Sequence, residues 1–247
     1  MTVNIPPTVL PTKKPNRQRF RRPWNSDPSC VLCLMPEVNS TWRDYSGHGN
    51  DGTIVGATTI YNARFGEGLL FDGINDYVTM GDVLDFERTD PFTLEAWFMR
   101  TIATANHTLI SKMDSANDYR GYLFWVRTNA GGNPNVLEFN IRNDNAPPNF
   151  IYVRGTTEVP LNIWHHGVVT YDGSVTIAGT HIYLDSSEEV IADSVNTLNA
   201  TTIIAKPLCI GSRNLNNSLF EGSIDEARIY NRALAAWEVR ALYEMGR

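Results

Sequence analysis

The sequence of 247 residues has little cysteine, little charge and no long apolar run. Three cysteines are too few for a disulfide framework, and no apolar run approaches the roughly 20 residues that span a bilayer. Charged residues make up 19% and hydrophobic residues 42%, which is ordinary for a globular protein and too apolar for a disordered one. The composition predicts a folded protein without membrane insertion, built from one large domain or two small ones.

The cysteines suggest a metal or redox site only at first sight. Cys30 and Cys33 form a C-x-x-C pair, but the second pair that a four-cysteine zinc site needs is missing. Positions three apart on an extended strand point to opposite faces, and Cys209 sits in an apolar run. We therefore expect all three cysteines to be reduced and buried.

The charge is distributed unevenly along the chain. Residues 1–29 carry six basic residues and one acidic residue, a net charge of +5. The whole chain has 21 basic and 27 acidic residues, which leaves 15 against 26, or −11, for the remainder. A basic arm of residues 1–29 thus precedes an acidic body of residues 30–247, and the acidic body argues against nucleic acid as a partner.

The basic arm contains six prolines, which exclude helix interiors and favour extended backbone. It is either a disordered tail or an arm that docks on other protein subunits of an assembly, and weak phosphate binding is a third possibility. We favour docking, because aromatic side chains stand among the arginines. The predicted partner-binding residues are Arg17, Arg19, Phe20, Arg21, Arg22 and Trp24.

From residue 30 onward, short apolar or alternating runs are separated by Gly, Asn and Asp, which is typical of an all-β sandwich. One helix is expected at residues 234–243, with Leu234, Trp237, Ala241 and Leu242 near the helical period, closing the end of the sandwich. The predicted strands are 30–35, 53–55, 69–71, 77–80, 92–100, 108–112, 121–127, 136–142, 150–154, 164–171, 180–184, 208–210 and 222–230.

Three phrases in this order carry a resemblance: DYSGHGNDG at 44–52, GLLFDGINDYV at 68–78 and FEGSIDEARIYNRAL at 220–234. With the strands at 92–98 and 164–173 between them, residues 30–245 resemble the laminin-G-like, concanavalin A-like jelly-roll modules. The resemblance implies an all-β fold of two antiparallel sheets packed face to face, with one short C-terminal helix. It says little about function, because this scaffold hosts many functions.

The resemblance also implies a structural calcium ion that holds the first Gly/Asn loop near the last strand. Carried over by residue, Asp44 and Asn50 would supply loop oxygens, and Asp225 would face them. Such hard oxygen ligands suit Ca²⁺. The alternative is that Asp44 and Asn50 bond their own turn and that Asp225 caps a strand end. Asp72 and Asp76 are interpreted as turn residues.

Relatives of this fold include glycoside hydrolases, which need two carboxylates roughly 5–9.5 Å apart. Glu221 and Asp225 are four residues apart and can share a face, but Asp225 belongs to the third phrase. The neighbours His165 and His166 face opposite ways on a strand and cannot act together. We expect no catalytic residues.

A sugar site needs an exposed aromatic side chain flanked by hydrogen-bonding groups. The strand at 121–127 places Tyr122 and Phe124 on one side and Leu123 and Trp125 on the other, and the sequence leaves open which side is exposed. The candidate glycan-binding residues are Tyr119, Arg120, Trp125 and Asn143.

Two functions of different classes follow. The first is a non-catalytic structural protein of a virion, such as a phage capsid decoration or a tail or fibre component. The basic arm would anchor it, and the jelly roll would be displayed for adhesion, with cell-surface glycans as possible targets. Because no segment resembles a signal peptide, we expect synthesis in a host cytoplasm and residence in the virion, with an extracellular location as the alternative. The second function is a carbohydrate-binding module of a polysaccharide-processing system.

Overall fold

The computed structural model describes residues 27–36, 41–114, 119–128, 135–144 and 148–246. These residues form an all-β sandwich with one α-helix, α1 (Ala236–Gly246), and a single 3₁₀ turn at Ile177–Gly179. The strands are β1 (Cys30–Pro36), β2 (Thr41–Asp44), β3 (Gly52–Val55), β4 (Thr58–Ala63), β5 (Gly66–Asp72), β6 (Tyr77–Gly81), β7 (Phe92–Arg100), β8 (His107–Met113), β9 (Gly121–Arg127), β10 (Val136–Asp144), β11 (Asn149–Arg154), β12 (His165–Tyr171), β13 (Thr180–Leu184), β14 (Ser187–Glu188), β15 (Asp193–Asn196), β16 (Leu208–Ile210) and β17 (Glu221–Tyr230).

The strands pair antiparallel in two sheets. Sheet A has the order β4, β5, β17, β7, β12, β13, β14. Sheet B has the order β1, β2, β3, β6, β16, β8, β9, β10, β11, β15. The predicted two-sheet antiparallel sandwich is confirmed.

Strand β1 belongs to both sheets. Its first half, Cys30 to Cys33, pairs with β17 in sheet A, and its second half, Leu34 to Pro36, pairs with β2 in sheet B. Because one continuous strand joins the two layers at an edge, their relative position is fixed by backbone hydrogen bonds as well as by side-chain packing.

The space between the sheets is filled largely by aromatic side chains. Phe92 of sheet A stacks on Phe86 at 4.6 Å between ring centroids and lies 5.4 Å from Tyr122 of sheet B. Tyr122 and Phe124 are therefore on the core side of β9, which answers the question that the sequence left open. Leu123 and Trp125 lie on the outer side of sheet B.

Helix α1 covers the outer face of sheet A rather than the end of the sandwich. Its residues Val239 and Leu242 are buried against β12, β13 and β17. The ring of Tyr243 stacks on Trp97 at 5.6 Å. The expectation that Trp237 repeats on the buried face is wrong, because Trp237 is 68% exposed.

The three cysteines are free and buried, as expected. The expectation that Cys30 and Cys33 face opposite ways is wrong, because the register of β1 against β17 shifts between Cys30 and Leu32. A bulge of this kind changes the alternation of side chains. Both thiols consequently lie in the same cluster beneath α1.

Every predicted strand is present, and four further strands are found. These are β2, β4, β14 and β15. Among the helices of the described ranges, none is both long and apolar enough to cross a membrane. The predicted partner-binding residues of the basic arm lie outside the described residues.

Candidate functional site

The outer face of sheet B carries a depression of about 250 Å³ over strands β9 and β10. Alternate residues of β10, namely Glu138, Asn140 and Arg142, point to this face, and the residues opposite them on β9 include Trp125 and Leu123. We call it the arginine–tryptophan depression. Its polar and aromatic lining consists of Tyr119, Trp125, Arg127, Glu138, Asn140, Arg142 and Arg213.

The buried carboxylate of Glu138 organises the floor of this depression. Its Oε1 accepts hydrogen bonds from Trp125 Nε1 and from Asn140 Nδ2, each at 2.9 Å. Its Oε2 forms an ion pair with Arg127 Nη1 at 3.1 Å. A buried carboxylate must be compensated in this way, and these bonds fix the orientation of the indole ring.

The hydrogen-bond chain continues from the floor to the rim. Asn140 Oδ1 accepts from Arg142 Nε at 3.1 Å and from Arg142 Nη2 at 2.5 Å. The guanidinium group of Arg142 lies 4.1 Å above the centroid of the Phe150 ring. Arg142 is thereby held between an amide and an aromatic face.

Arg213 reaches the depression from the loop between β16 and β17. Its guanidinium carbon lies 5.1 Å from the centroid of the Tyr119 ring and 5.8 Å from that of Trp125, which are cation–π distances. Two backbone hydrogen bonds between Arg213 and Asn217 close the loop that presents this side chain. Because Trp125 is only 7% exposed, a ligand meets Arg213 and Tyr119 before the indole ring.

Charge and burial oppose each other in this cluster. Burial lowers the pKa of Arg127, but the Glu138 carboxylate and the Tyr152 hydroxyl together raise it by more, so its pKa lies above the ordinary value. Burial lowers the pKa of both Arg142 and Arg213. The arginines are thus held close together in a partly desolvated setting, which favours an anion as a neighbour.

The structure brings together two of the four predicted glycan-binding residues. Tyr119 and Trp125 share the depression. Arg120 and Asn143 are neighbours outside this lining, where Arg120 Nε donates to the Asn143 carbonyl at 3.2 Å and Asn143 Nδ2 donates to the Thr201 carbonyl at 2.7 Å. Each of these side chains thus donates to a backbone carbonyl.

The sequence interpretation missed Glu138, Arg142 and Arg213. The first two lie on the same face as Asn140 at two-residue spacing, and that alternation is a signal by which they can be found. Arg213 comes from a distant loop and carries no local signal.

The predicted calcium ligands do not converge in one place. Asp44 and Asn50 share the first loop, where Asp44 Oδ1 accepts from the backbone of Cys33 and Ser46, and Oδ2 accepts from Ser46 Oγ and Asn50 N, all at 2.9 Å. Asp225 faces the β4–β5 turn instead, with Oδ2 accepting from Phe65 N at 2.8 Å. No group of three His, Cys, Asp or Glu side chains placed to hold a metal is found within the described ranges. Calcium stays a prediction.

An acidic depression of about 330 Å³ lies elsewhere, lined in part by Asp72, Asp76 and Glu221. Asp72 Oδ1 accepts from the backbone of Ile74 at 2.8 Å, and Asp76 Oδ2 accepts from the backbone of Asp72 at 2.8 Å. Burial, together with the neighbouring Asp72 carboxylate, raises the pKa of Asp76. Asp72 and Asp76 therefore act as turn residues, in agreement with the sequence interpretation.

The two histidines of β12 face opposite ways, as expected. His166 Nε2 lies 2.9 Å from Glu95 Oε1 on the buried outer face of sheet A, next to Trp97. His165 Nδ1 lies 2.8 Å from Asp185 Oδ2, and its ring lies near Phe98. Each histidine has its own carboxylate partner, so the two do not form a joint site.

Comparison with known proteins agrees with the fold. The family model described as the concanavalin A-like lectin/glucanases superfamily, Laminin_G_3, matches residues 72–240. The chain therefore belongs to this superfamily. A search of the curated proteins gives no match.

Three solved structures illustrate the similarity. The binding domain of Paraclostridial Mosquitocidal Protein 1 has a TM-score of 0.65 and 18% identity over 88% of this chain and 52% of that chain. Domain 4 of AbnA, a GH43 extracellular arabinanase from Geobacillus stearothermophilus, in complex with arabinotriose, has a TM-score of 0.64 and 17% identity over 87% and 98%. The Botulinum neurotoxin serotype G binding domain has a TM-score of 0.60 and 20% identity over 87% and 51%.

This chain thus spans about half of the two toxin binding domains and nearly all of the arabinanase domain. At these identities the similarity shows the shared fold.

Proposed function

We propose that this domain is a non-catalytic binding module whose ligand is a glycan, bound in the arginine–tryptophan depression. The observation that carries the proposal is the fixed chain of hydrogen bonds from Trp125 through Glu138 and Asn140 to Arg142. It holds aromatic and polar groups in place before any ligand arrives, which reduces the entropic cost of binding. The apolar face of a sugar ring packs on an aromatic side chain, and its hydroxyl groups need donors and acceptors of this kind.

The carboxylate content of the depression supports binding rather than hydrolysis. Of the described residues that line it, Glu138 alone is a carboxylate, and its oxygens accept bonds from Trp125, Asn140 and Arg127. A glycosidase of the usual kind needs a second carboxylate roughly 5–9.5 Å away. The arabinanase domain that was solved with arabinotriose supports a saccharide as the ligand class.

An NMR titration of the labelled domain with a panel of neutral and acidic oligosaccharides tests this proposal. We expect binding that shifts the signals of Tyr119 and Trp125. Replacing Tyr119 by alanine removes ring contact worth about 1 kcal/mol and weakens binding roughly five-fold. Trp237→Ala, which removes an exposed aromatic ring from the opposite side of the sandwich, is the matched control. Absence of binding by every saccharide, or equal losses in both variants, contradicts the proposal.

We further propose that the domain serves as a structural component of a virion, anchored to neighbouring subunits by the basic arm. The support is the net charge of +5 on residues 1–29 beside −11 on the remainder. Arg232 bonds Asp27 at 2.7 Å and Ser29 at 2.8 Å. A truncation that keeps these contacts can therefore remove residues 1–26 and no more. The truncated chain is expected to remain folded but no longer to bind the neighbouring subunits. If the truncated chain still joins the assembly, this role is overturned.

Calcium at the first loop is a proposal that rests on the family resemblance. Asp44 and Asn50 would supply oxygen ligands, and Asp225 would have to turn from Phe65 to join them. The melting temperature in calcium chloride and in EDTA tests it. A rise with calcium that Asp44→Asn abolishes supports the ion, whereas equal melting leaves Asp44 as the acceptor that organises the turn.

A further inference from the structure

The arginine–tryptophan depression is cationic in an acidic protein. Among the described residues that line it are three arginines, Arg127, Arg142 and Arg213, and one carboxylate, Glu138. These described side chains carry three positive charges against one negative charge, a net of +2, whereas the whole chain carries −6. A local excess of positive charge on an acidic chain concentrates anions at that place.

The Glu138 carboxylate is already paired within the floor of the depression. It pairs with Arg127 at 3.1 Å, and its other oxygen accepts the bonds from Trp125 and Asn140. Arg142 donates to the neutral amide oxygen of Asn140. Among the described residues of the lining, Glu138 thus pairs with Arg127 rather than with Arg213.

Arg213 is the arginine of the depression that lacks a carboxylate partner among the described residues. Its Nη2 donates to the neutral amide oxygen of Asn217 at 2.9 Å, and no carboxylate of the described ranges lies within ion-pair distance of it. Its buried Nε has no hydrogen-bond acceptor in the described part of the chain. Burial also lowers the pKa of this guanidinium. Arg213 therefore lines the depression with a guanidinium group whose hydrogen-bonding capacity is only partly used by the described residues.

We propose that the ligand of the arginine–tryptophan depression is an acidic saccharide, whose carboxylate or sulfate group is bound by Arg213 and Arg142 while a sugar ring packs against Tyr119. This proposal rests on the proposed glycan-binding function and specifies its ligand class. Planar guanidinium groups bind carboxylate and sulfate oxygens with paired, charge-assisted hydrogen bonds. The aromatic rings beneath Arg213 hold the guanidinium in place for such a contact.

Isothermal titration calorimetry with chemically matched sugars tests the ligand class. The carboxylate arm compares an oligogalacturonate with its fully methyl-esterified form, which has the same backbone and no charge. The sulfate arm compares a sulfated galactan oligosaccharide with its desulfated form. We expect at least one acidic form to bind ten-fold or more tightly than its neutral counterpart, and the preferred arm identifies the anionic group. We also expect this advantage to shrink as salt is raised, since it is electrostatic.

Variants of the chain test the residues. Arg213→Gln is expected to weaken binding of the acidic sugar about ten-fold and to leave binding of the neutral form nearly unchanged. Arg213→Lys keeps the charge but loses the paired donors, and we expect an intermediate loss. Arg240→Gln removes the same charge from an exposed site on α1, on the opposite side of the sandwich, and serves as the control. Thermal melting of each variant confirms that it is folded.

The outcomes separate the two proposals. Equal binding of acidic and neutral forms overturns the acidic ligand and leaves glycan binding intact. Acidic preference that survives in Arg213→Gln overturns the assignment to Arg213. Absence of binding by all four sugars and by the wider neutral panel overturns glycan binding itself, and the acidic ligand with it.

Discussion

Arg228 and Glu95 form an ion pair at 2.8 Å between side chains that are almost completely removed from solvent. The pair lies on the outer face of sheet A, where His166 also contacts Glu95 and Glu226 contacts Arg228. Burial raises the pKa of Glu95, but the charges and hydrogen bonds of Arg228 and His166 together lower it by more, so the pKa of this carboxyl lies below its ordinary value. Beneath α1 the sandwich thus contains a charged layer that is stable only when every charge has its partner.

Removing one partner of this pair is therefore expected to be costly. Arg228→Met leaves the Glu95 carboxylate buried without its main counter-charge, and the free energy of unfolding should fall by about 3–5 kcal/mol. Urea denaturation followed by tryptophan fluorescence measures the loss.

Adding Glu95→Gln to the Arg228→Met variant should restore part of that stability, because the uncompensated charge disappears. Arg240→Gln, at the exposed ion pair of α1, is the control and should change stability little. A double variant as unstable as the sum of the two single losses contradicts the explanation.

His107 makes stability depend on pH in mildly acidic solution. It is fully buried, and its Nδ1 accepts the N–H of Glu221 at 3.2 Å. Burial and the nearby charge of Arg100 lower the pKa of His107 to about 4. The folded protein keeps this ring neutral while the unfolded chain takes up a proton near pH 6.5, so stability should fall as pH drops from about 6.5 to about 4, by roughly 3 kcal/mol at most.

The variant His107→Asn keeps an acceptor near Nδ1 and removes the titration. We expect it to lose less unfolding free energy than the parent between pH 7 and pH 4.5, as measured by urea denaturation. His181→Asn replaces an exposed histidine that contacts Glu188 and is the matched control. If both variants keep the full pH dependence of the parent, another group causes it.

Gly121 fixes the start of β9, next to Tyr119 of the depression. Its φ is +113°, and a methyl group there would clash with the carbonyl oxygen of Lys112 on β8. Gly66 has a similar φ of +108° but open space around it. Both alanine variants carry the cost of positive φ, so their difference isolates the clash; we expect Gly121→Ala to be about 1–3 kcal/mol less stable than Gly66→Ala. Equal stability of the two variants in thermal melting would show that β8 shifts to make room for the methyl group at no energetic cost.

The strands that the sequence predicted are those with a buried apolar face. β7 and β12 are buried along almost their whole length, and their β-branched and aromatic residues mark them clearly. β4 has no fully buried residue and β14 is two residues long, so neither produces an apolar alternation. These strands form because a neighbouring strand offers backbone partners, which a local pattern does not reveal.

Only the part of the candidate site that a local sequence pattern marks was predictable. Tyr119 and Trp125 stand out as aromatic residues among polar ones, and the alternation of β10 places Glu138 and Asn140 on one face. Arg213 joins them only through the folding of a loop some ninety residues further along the chain. The β1 bulge, which turns Cys30 and Cys33 to one face, likewise depends on the pairing with β17. Long-range contacts of this kind are set by tertiary packing.

Arg232 joins the place where β1 begins to the place where α1 begins, since it bonds Asp27 at 2.7 Å and both oxygens of Glu238 at 2.7 Å. Any chain that precedes Asp27 is consequently attached on the side of the molecule that α1 covers. The arginine–tryptophan depression opens on the other broad side. The domain therefore has a back and a front: when it is mounted on a larger body through its N-terminal end, its cationic face is directed outward.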